Sequence, residues 1–384
     1  MLFLNAHICP MDGPEIERGF ILTRDDVIEA VGPMERAPDP DGNEVADLEG
    51  AWALPGLIDA HTHIGMWEDG LGFEGDDGNE ATDPATPQLR AVDGVNPLDR
   101  AFSEALESGI TTVMTGPGST NPIGGQMLLL KTFGVCADDM AIASPAAMKF
   151  ALGENPKSAY SDKNTPPTTR MAIAAIIREQ LSKALEYKNR FDDDEQDDPE
   201  YDIKAESLLP VLAGELAAHF HAHRADDIAT AIRLSKEYGL RPVIVHCTEG
   251  AKMAEVIRRC GCGVILGPLM TDRSKPELRE QSITTPAELD RAGIEFAICS
   301  DHPETPAKYL TLSAALAVKA GLDRQTALRA VTINAARVCG ADGAIGSLTP
   351  GKQADIAVFD RDPLDMTAEV KYVMVSGKTA VNRL

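Results

Sequence analysis

A chain of 384 residues with a net charge of −24 is a poor partner for nucleic acid, because its acidic surface repels phosphate backbones. Its apolar fraction of 43% supplies a core large enough for a barrel of roughly 250–300 residues with a smaller appendage. The sequence shows neither a signal peptide nor an uncharged apolar run of about 18 residues, and its 7 scattered cysteines favour reduced thiols. We therefore expect a soluble, cytoplasmic protein that binds neither nucleic acid nor membranes.

The two ends of the chain have the pattern of short strands separated by turns. Near the N-terminus, Gly19-Phe-Ile-Leu-Thr and Val27-Ile-Glu-Ala-Val flank a turn at Asp25-Asp26. Near the C-terminus, Val370-Lys-Tyr-Val-Met-Val is followed by a turn at Ser376-Gly377. Two strand-rich ends around a helical middle predict one small β-sandwich domain built from residues 1–52 and 347–384.

Residues 53–346 alternate between apolar strands, such as Leu54–Ala60 and Pro242–His246, and helical segments, such as Thr165–Tyr187. This alternation predicts a parallel sheet covered by helices, and its length favours a closed (β/α)8 TIM barrel over an open, doubly wound sheet. No glycine-rich phosphate loop follows any of these strands, which counts against a nucleotide-binding sheet. The acidic run over residues 191–200 predicts an exposed loop.

Residue types that bind metals recur at the ends of the predicted strands. His61 and His63 lie two residues apart, so both imidazoles point to one face, roughly 6–7 Å apart along the strand. His246 and Asp301 end two later apolar segments, and a third segment offers three histidines on one face: His219, His221 and His223. Imidazoles and carboxylates suit zinc, manganese or ferrous iron, and barrel enzymes assemble their sites where strands end.

Three motifs carry a resemblance to a known family. Leu54-Pro-Gly-Leu-Ile-Asp-Ala-His-Thr-His-Ile-Gly65 resembles the first-strand signature of the amidohydrolase superfamily of metal-dependent hydrolases. Gly346-Ser-Leu-Thr-Pro-Gly-Lys-Gln-Ala-Asp-Ile-Ala-Val-Phe-Asp360 resembles the stretch where such enzymes re-enter their small sandwich, and Thr332-Ile-Asn-Ala-Ala is similar to their Thr-x-Asn-Pro-Ala. The resemblance spans almost the whole chain and is greatest to imidazolonepropionase-like, prolidase-like and isoaspartyl-dipeptidase-like members.

The resemblance implies a site for one or two divalent transition-metal ions, with zinc expected first and manganese or iron as alternatives. The ligands that it implies are His61, His63, Lys149, His221, His246 and Asp301, with Lys149 carboxylated where it bridges two ions. Glu154 is the rival ligand from the fourth strand, because some members use a glutamate and a single ion. Spacing alone does not choose among His219, His221 and His223, whereas the resemblance favours His221.

The expected reaction is hydrolysis of a carbon–nitrogen bond in an amide or cyclic amide, such as an N-acyl amino acid, a dipeptide or an imidazolone-like ring. Asp301 would move the proton of the attacking water, and His246 or His223 would stabilise the oxyanion. Substrate contacts are expected from His223, Arg224 and Arg273, because arginine suits a carboxylate. The alternatives are a lactonase or phosphoester hydrolase on the same site and a non-catalytic assembly protein. We expect a homo-oligomer that acts on a small molecule.

Overall fold

The computed structural model describes residues 1–191 and 199–384, so most of the acidic run predicted as a loop lies outside the described residues. The strands in these ranges are β1 (Leu2–Ile8), β2 (Ile16–Arg24), β3 (Val27–Pro33), β4 (Val45–Asp47), β5 (Trp52–Pro55), β6 (Leu57–Thr62), β7 (Ile110–Thr115), β8 (Ile123–Lys131), β9 (Ala141–Ala151), β10 (Ala217–Ala222), β11 (Pro242–His246), β12 (Gly263–Leu266), β13 (Ala297–Ile298), β14 (Ile356–Phe359), β15 (Val370–Val375) and β16 (Lys378–Asn382).

The helices are α1 (Arg100–Glu107), α2 (Ala137–Met140), α3 (Glu154–Ser161), α4 (Arg170–Phe191), α5 (Ile203–Leu212), α6 (Ala225–Tyr238), α7 (Ala254–Cys260), α8 (Thr285–Arg291), α9 (Leu310–Lys319), α10 (Arg324–Ala330) and α11 (Ile333–Val338). Capping residues account for the ends of several helices. The carboxylates of Asp202 and Asp323 accept the first free N–H groups of α5 and α10. Gly239 and Gly261 end α6 and α7 in the left-handed conformation that glycine adopts without strain. Across the described ranges, no helix combines the length and the apolar character needed to cross a membrane.

Both ends of the chain contribute to one sheet, with the strand order β16-β15-β14-β5-β1-β2-β3 and β4 paired to β1. The two ends are joined where β5 runs antiparallel to β14, with Leu54 opposite Ala357. Phe3 of β1 packs edge-to-face on Tyr372 of β15, with ring centroids 5.3 Å apart, inside a common apolar core. The prediction of a small domain built from both termini is confirmed, and β5 of its sheet runs from Trp52 to Pro55.

The second sheet is the barrel, with its strands in the order β6 to β13. Strands β6 and β7 are parallel, and β9 to β13 are parallel. Strand β13 meets β6 where the N–H of Ser300 donates to Asp59 Oδ1 (3.1 Å) and the N–H of Asp301 donates to the carbonyl of His61 (3.2 Å). These contacts close the ring, and the predicted TIM barrel is confirmed.

One strand departs from the ideal (β/α)8 pattern. Strand β8 is antiparallel to both of its neighbours, β7 and β9. The segment 116–122 that connects β7 to β8 contains no helix, and a connection this short can join antiparallel strands but not parallel ones, which need a crossover. Because β8 reverses direction, β9 again runs the same way as β6, and its C-terminal end faces the same rim of the barrel.

The interior of the barrel is divided into an apolar floor and a polar mouth. Ile58, Met114, Met127, Val245 and Ile265 pack together as one buried cluster on the floor. The histidines and the aspartate predicted as ligands lie above them, at or just beyond the C-terminal ends of the strands. The floor therefore fixes the strand ends from which the polar side chains project.

Candidate active site

The first group of polar side chains, here called the histidine–aspartate cluster, consists of His61, His63 and Asp301. The two histidines lie side by side, as the period-two spacing predicts, but their ring centroids are 5.0 Å apart, closer than the roughly 6–7 Å expected along the strand. Asp301 follows β13, which lies beside β6, and its Oδ1 is 3.5 Å from Nε2 of His61 and 3.4 Å from Nε2 of His63. All three residues are buried. Neighbouring strands thus bring together residues 240 positions apart in the chain.

The second group, the three-histidine cluster, consists of His221, His223 and His246. His221 and His223 project from the end of β10, and His246 ends β11. The His223 and His246 rings are stacked with centroids 4.5 Å apart, and His221 lies 4.5 Å from His246. The centroids of His61 and His246 are 5.5 Å apart, so the two clusters are adjacent.

Backbone conformation contributes to this placement. His246 and Asp301 adopt φ values of 71° and 56°. Residues with a side chain rarely occupy this left-handed region, and they do so mainly where the surrounding structure compensates the strain. In both cases the turn directs the side chain across the mouth of the barrel, toward the other cluster. A strained conformation at two of the candidate ligands is typical of a functional site.

The Nδ1 atoms of His63 and His246 are hydrogen-bonded to backbone carbonyl groups. Nδ1 of His63 lies 2.8 Å from the carbonyl oxygen of Gly116, and Nδ1 of His246 lies 2.8 Å from that of Gly267. Because a carbonyl only accepts, both Nδ1 atoms carry the proton and donate it. Each Nε2 therefore presents a lone pair, which is the arrangement found in metal-binding histidines.

Hydroxyl groups hold the other two imidazoles of the three-histidine cluster. Nδ1 of His221 is 2.9 Å from Oγ of Ser119, and Nδ1 of His223 is 2.7 Å from Oγ1 of Thr248. Nε2 of His221 is buried and has no hydrogen-bond partner. A buried polar atom without a partner is costly, so its presence in a polar cluster points to a bound group.

Lys149 and Glu154, the two candidates from the fourth barrel strand, lie in different places. Lys149 is fully buried on β9, and its Nζ is 3.2 Å from Nε2 of His61. Burial lowers the pKa of Lys149 to about 8. Glu154 begins α3, and its carboxylate accepts the N–H of Glu277 (3.1 Å). The structure thus brings Lys149 to the histidine–aspartate cluster and ties Glu154 to another loop.

His219, the third histidine of β10, lies deeper in the barrel. It is opposite Lys149 in the register of β9 and β10, and it belongs to neither cluster. Burial lowers its pKa to about 3, so the ring is neutral. Its position is consistent with the preference for His221 over His219 as the ligand from this strand.

The electrostatics of the two clusters favour neutral imidazoles beside a charged carboxylate. Burial lowers the pKa of His61, His221 and His223 well below 6.5 and that of His246 to about 4. Burial alone would raise the pKa of Asp301, but His246 and His63 hold it below its ordinary value. Neutral imidazoles and an ionised carboxylate are the protonation states that a divalent ion requires.

The distances agree with such an ion. Donor atoms about 2.1 Å from a tetrahedral ion lie about 3.4 Å from one another. Oδ1 of Asp301 is 3.4 and 3.5 Å from the two nitrogens that it faces, and it has no hydrogen-bond partner of its own. The residues present therefore fit a divalent transition metal.

A cavity of about 680 Å³ opens above the two clusters. His63, His223, His246 and Asp301 line its inner end, and its rim is formed by Trp67, Asn79 and Lys275 from loops and by Asn155 from α3. A second cavity of about 620 Å³ lies at the opposite end of the barrel, where β10, β11 and β12 begin. None of the candidate ligands lines that second cavity, so the chemistry belongs to the first.

Two of the predicted substrate-binding residues do not reach this cavity. The guanidinium of Arg224 donates to both carboxylate oxygens of Asp226, each at 2.9 Å, on the protein surface. The guanidinium of Arg273 donates to the carbonyl oxygen of Gln281 (2.7 Å) and is also exposed. Sequence reasoning missed Lys275, which lies two residues after Arg273 and does line the cavity.

Comparisons with known proteins identify the family that this chain resembles. Residues 209–381 match the Amidohydrolase family. The crystal structure of an amidohydrolase from Thermotoga maritima MSB8 covers the whole of both chains with a TM-score of 0.96 and 39% sequence identity.

Two further relatives are more distant in sequence. Amidohydrolase tasK of Hapsidospora irregularis is 29% identical over 94% of this chain, although the match covers only 39% of tasK. Imidazolonepropionase of Acidiphilium cryptum is 26% identical over 95% of this chain and 94% of its own. From the sequence, the fold and the site together, the chain belongs to the amidohydrolase family, whose members hydrolyse carbon–nitrogen bonds.

Proposed function

We propose that this enzyme hydrolyses an amide or cyclic amide bond in a small molecule, with one or two divalent transition-metal ions, zinc first among them, in the two clusters. The observation that carries the proposal is the pair of adjacent buried clusters, three imidazoles on one side and two imidazoles with Asp301 on the other. His61, His63 and Asp301 would hold one ion, and His221 and His246 the other. When bound, such ions lower the pKa of a coordinated water and polarise the scissile carbonyl.

Lys149 is the proposed bridge between the two ions. Its neutral amine would attack carbon dioxide, forming a bond between Nζ and the carbon while a proton leaves the nitrogen, so that a cation becomes an anionic carbamate. Burial supports this step, because it lowers the pKa of the amine to about 8 and so frees the nucleophilic form. An ammonium ion 3.2 Å from Nε2 of His61 would instead oppose the binding of a cation.

Asp301 is the proposed proton carrier of the reaction. Its carboxylate lies between the clusters and is ionised, so it can accept the proton of the attacking water. The protonated carboxyl group of Asp301 can then donate this proton to the leaving nitrogen, so that the nitrogen leaves as a neutral amine or amide.

The two histidines predicted to stabilise the oxyanion differ in what they can donate. Nδ1 of His246 already donates to Gly267, which leaves only a lone pair toward the cavity, and this favours a ligand role. Nδ1 of His223 can accept the hydroxyl proton of Thr248, and Nε2 of His223 then carries a proton that can be donated to the substrate. We therefore assign the oxyanion to His223 and not to His246.

Two observations support a substrate class: the residues that line the cavity and the relatives of this chain. Nζ of Lys275 donates to Oδ1 of Asn155 (2.7 Å) and pairs with Oε1 of Glu277 (2.8 Å), so one N–H of this ammonium remains for a carboxylate-bearing substrate at the rim of the cavity. The similarity to imidazolonepropionase supports cyclic amides within this class.

The test is a panel of N-acyl amino acids, dipeptides, hydantoin-like rings and imidazolones, assayed with zinc- and manganese-loaded protein alongside lactones and phosphoesters. We expect turnover in the carbon–nitrogen group alone, lost on chelation and restored by metal. Activity confined to lactones or phosphoesters, or full activity in a metal-free preparation, would refute the proposal.

A further inference from the structure

A fully buried carboxylate beside the three-histidine cluster remains outside the ligand set described above. Glu277 lies in a short 3-10 helix, Pro276–Leu278, in the loop after β12, and its side chain has no exposed surface. Its Oε1 is 3.5 Å from Nε2 of His221 and 3.7 Å from Nε2 of His223. Carboxylates are rarely buried unless they are paired or bind a cation.

The ion pair with Lys275 accounts for only part of this arrangement. Nζ of Lys275 is 2.8 Å from Oε1 of Glu277, but Lys275 is partly exposed, and Nε2 of His221, which faces the same oxygen, is buried and has no hydrogen-bond partner. A separation of 3.5 Å is too long for a hydrogen bond between these two atoms. It is close to the distance of about 3.4 Å between two ligands of one tetrahedral ion.

The surrounding backbone holds the carboxylate in this position. Oε2 of Glu277 accepts the N–H of Glu154 (2.9 Å), and the carboxylate of Glu154 accepts the N–H of Glu277 in return. Gly153 lies directly against the carboxylate at φ +85°, and a Cβ there would be 2.8 Å from Oε2 of Glu277. The glycine and the reciprocal hydrogen bonds leave Oε1 as the oxygen that faces the histidines.

We propose that Glu277 is a direct ligand of the ion at the three-histidine cluster, binding through Oε1 together with Nε2 of His221. Lys275 and the N–H of Glu154 then orient the carboxylate of Glu277 without binding the ion themselves, as hydrogen-bond partners of metal ligands commonly do. This inference rests on the proposed function, because it adds a ligand to one of the two ions proposed there. The loop after β12 would then supply a metal ligand as well as cover the cavity.

The first experiment measures zinc binding by the apoprotein in competition with a chromophoric chelator, with elemental analysis of the loaded protein. We expect two zinc ions in the wild type. Glu277→Gln should keep the ion at the histidine–aspartate cluster and bind the other at least about 100-fold more weakly, since loss of an outer partner alone costs about 10–100-fold. Glu280→Gln is the matched control, because Glu280 is an exposed carboxylate of the same loop that contacts Lys252.

The outcomes separate this inference from the proposed function. Loss of affinity by less than about 100-fold in Glu277→Gln, or a wild type whose single zinc ion is kept in that variant, would overturn the role of Glu277 and leave the proposed function standing. A wild type that binds no zinc or manganese would overturn both.

A second experiment needs no variant and so does not depend on how Glu277→Gln folds. Crystals of zinc-loaded wild-type protein should show an anomalous-scattering peak within about 2.2 Å of Oε1 of Glu277 and of Nε2 of His221. Peaks that all lie more than about 3 Å from Glu277 would overturn the assignment.

Discussion

Nζ of Lys149 lies 3.2 Å from Nε2 of His61, and both side chains are fully buried. His61 carries no charge at neutral pH, because burial lowers its pKa well below 6.5. The amine therefore faces a neutral ring in the buried interior, with Asp301 as the nearby anion that favours its protonated form. This environment makes Lys149 the residue whose chemical state decides between one ion and two.

Metal loading should depend on bicarbonate and on pH. With a pKa of about 8, roughly a tenth of Lys149 is neutral at pH 7, whereas an ordinary lysine would be neutral in well under 1% of molecules. At a constant concentration of dissolved carbon dioxide, the rate of zinc uptake by apoprotein should therefore rise with pH and level off above about pH 8. The rate is measured by stopping zinc uptake at set times and determining the bound zinc by elemental analysis. A rate that is independent of both bicarbonate and pH would contradict the carbamate.

Lys149→Ala should lose metal and be partly rescued by short carboxylic acids, which can occupy the space of the carbamate. The measurement is the zinc content of the variant with and without added formate, acetate or propionate. Lys163→Ala is a suitable control, because Lys163 is an exposed lysine bonded to the carbonyl of Ala81. A crystal structure with a plain ammonium at Lys149 and Glu154 in contact with a single ion would refute the bridge.

Asp301→Asn should retain the fold and much of the metal but lose turnover, because an amide cannot carry a proton. We expect kcat to fall by about 10²–10⁴. Steady-state kinetics on the substrate identified by the panel measures the loss, with the exposed Asp342→Asn as the control. Near-normal turnover in Asp301→Asn would remove this residue from proton transfer.

Ser119→Ala tests whether the hydroxyl that faces Nδ1 of His221 orients that ring. Without it, zinc affinity at the three-histidine cluster should fall by about 10–100-fold, while the other cluster is unaffected. Ser103→Ala on the surface of α1 serves as the control, since its hydroxyl only bonds the helix backbone. Equal zinc affinities in the two variants would show that His221 needs no such support.

Deleting residues 347–384 tests whether the ends of the chain form one domain, with limits near residues 52 and 347. The deletion removes β14 and exposes the edge of β5, and it also leaves Lys131 buried without its partner Asp355. We expect aggregation in light scattering and a lower melting temperature. A truncated protein that stays monomeric and as stable as the parent would contradict the shared domain.

The parts of the site that could be predicted are those governed by strand periodicity. His61 and His63 share a face because they are two residues apart, and Asp301 joins them because both barrel strands end at the same rim. The direction of β8 could not be predicted, because Ile123–Lys131 reads as an apolar strand whichever way it runs. Direction depends on the short connection and on pairing with distant strands.

Loop residues were predicted less well, for a physical reason. Arg224 follows β10, where a substrate-binding arginine could lie, but its guanidinium donates two hydrogen bonds to the carboxylate of Asp226 instead. Glu277 lies in a polar loop segment, where nothing in the sequence distinguishes a buried carboxylate from the exposed ones around it. Burial in loops is decided by tertiary contacts such as the reciprocal hydrogen bonds with Glu154.

The pairing of β5 with β14 also has a consequence for synthesis of the chain on the ribosome. Strand β5 is translated early, but its partner lies about 300 residues later in the sequence. At about 5–20 residues per second, the edge of β5 waits about 15–60 s for β14 to emerge. During this time β1 pairs with one edge of β5, while the other edge of this apolar strand has no partner. The sheet built from both termini is therefore completed only after β14 to β16 have been synthesised, at the end of translation.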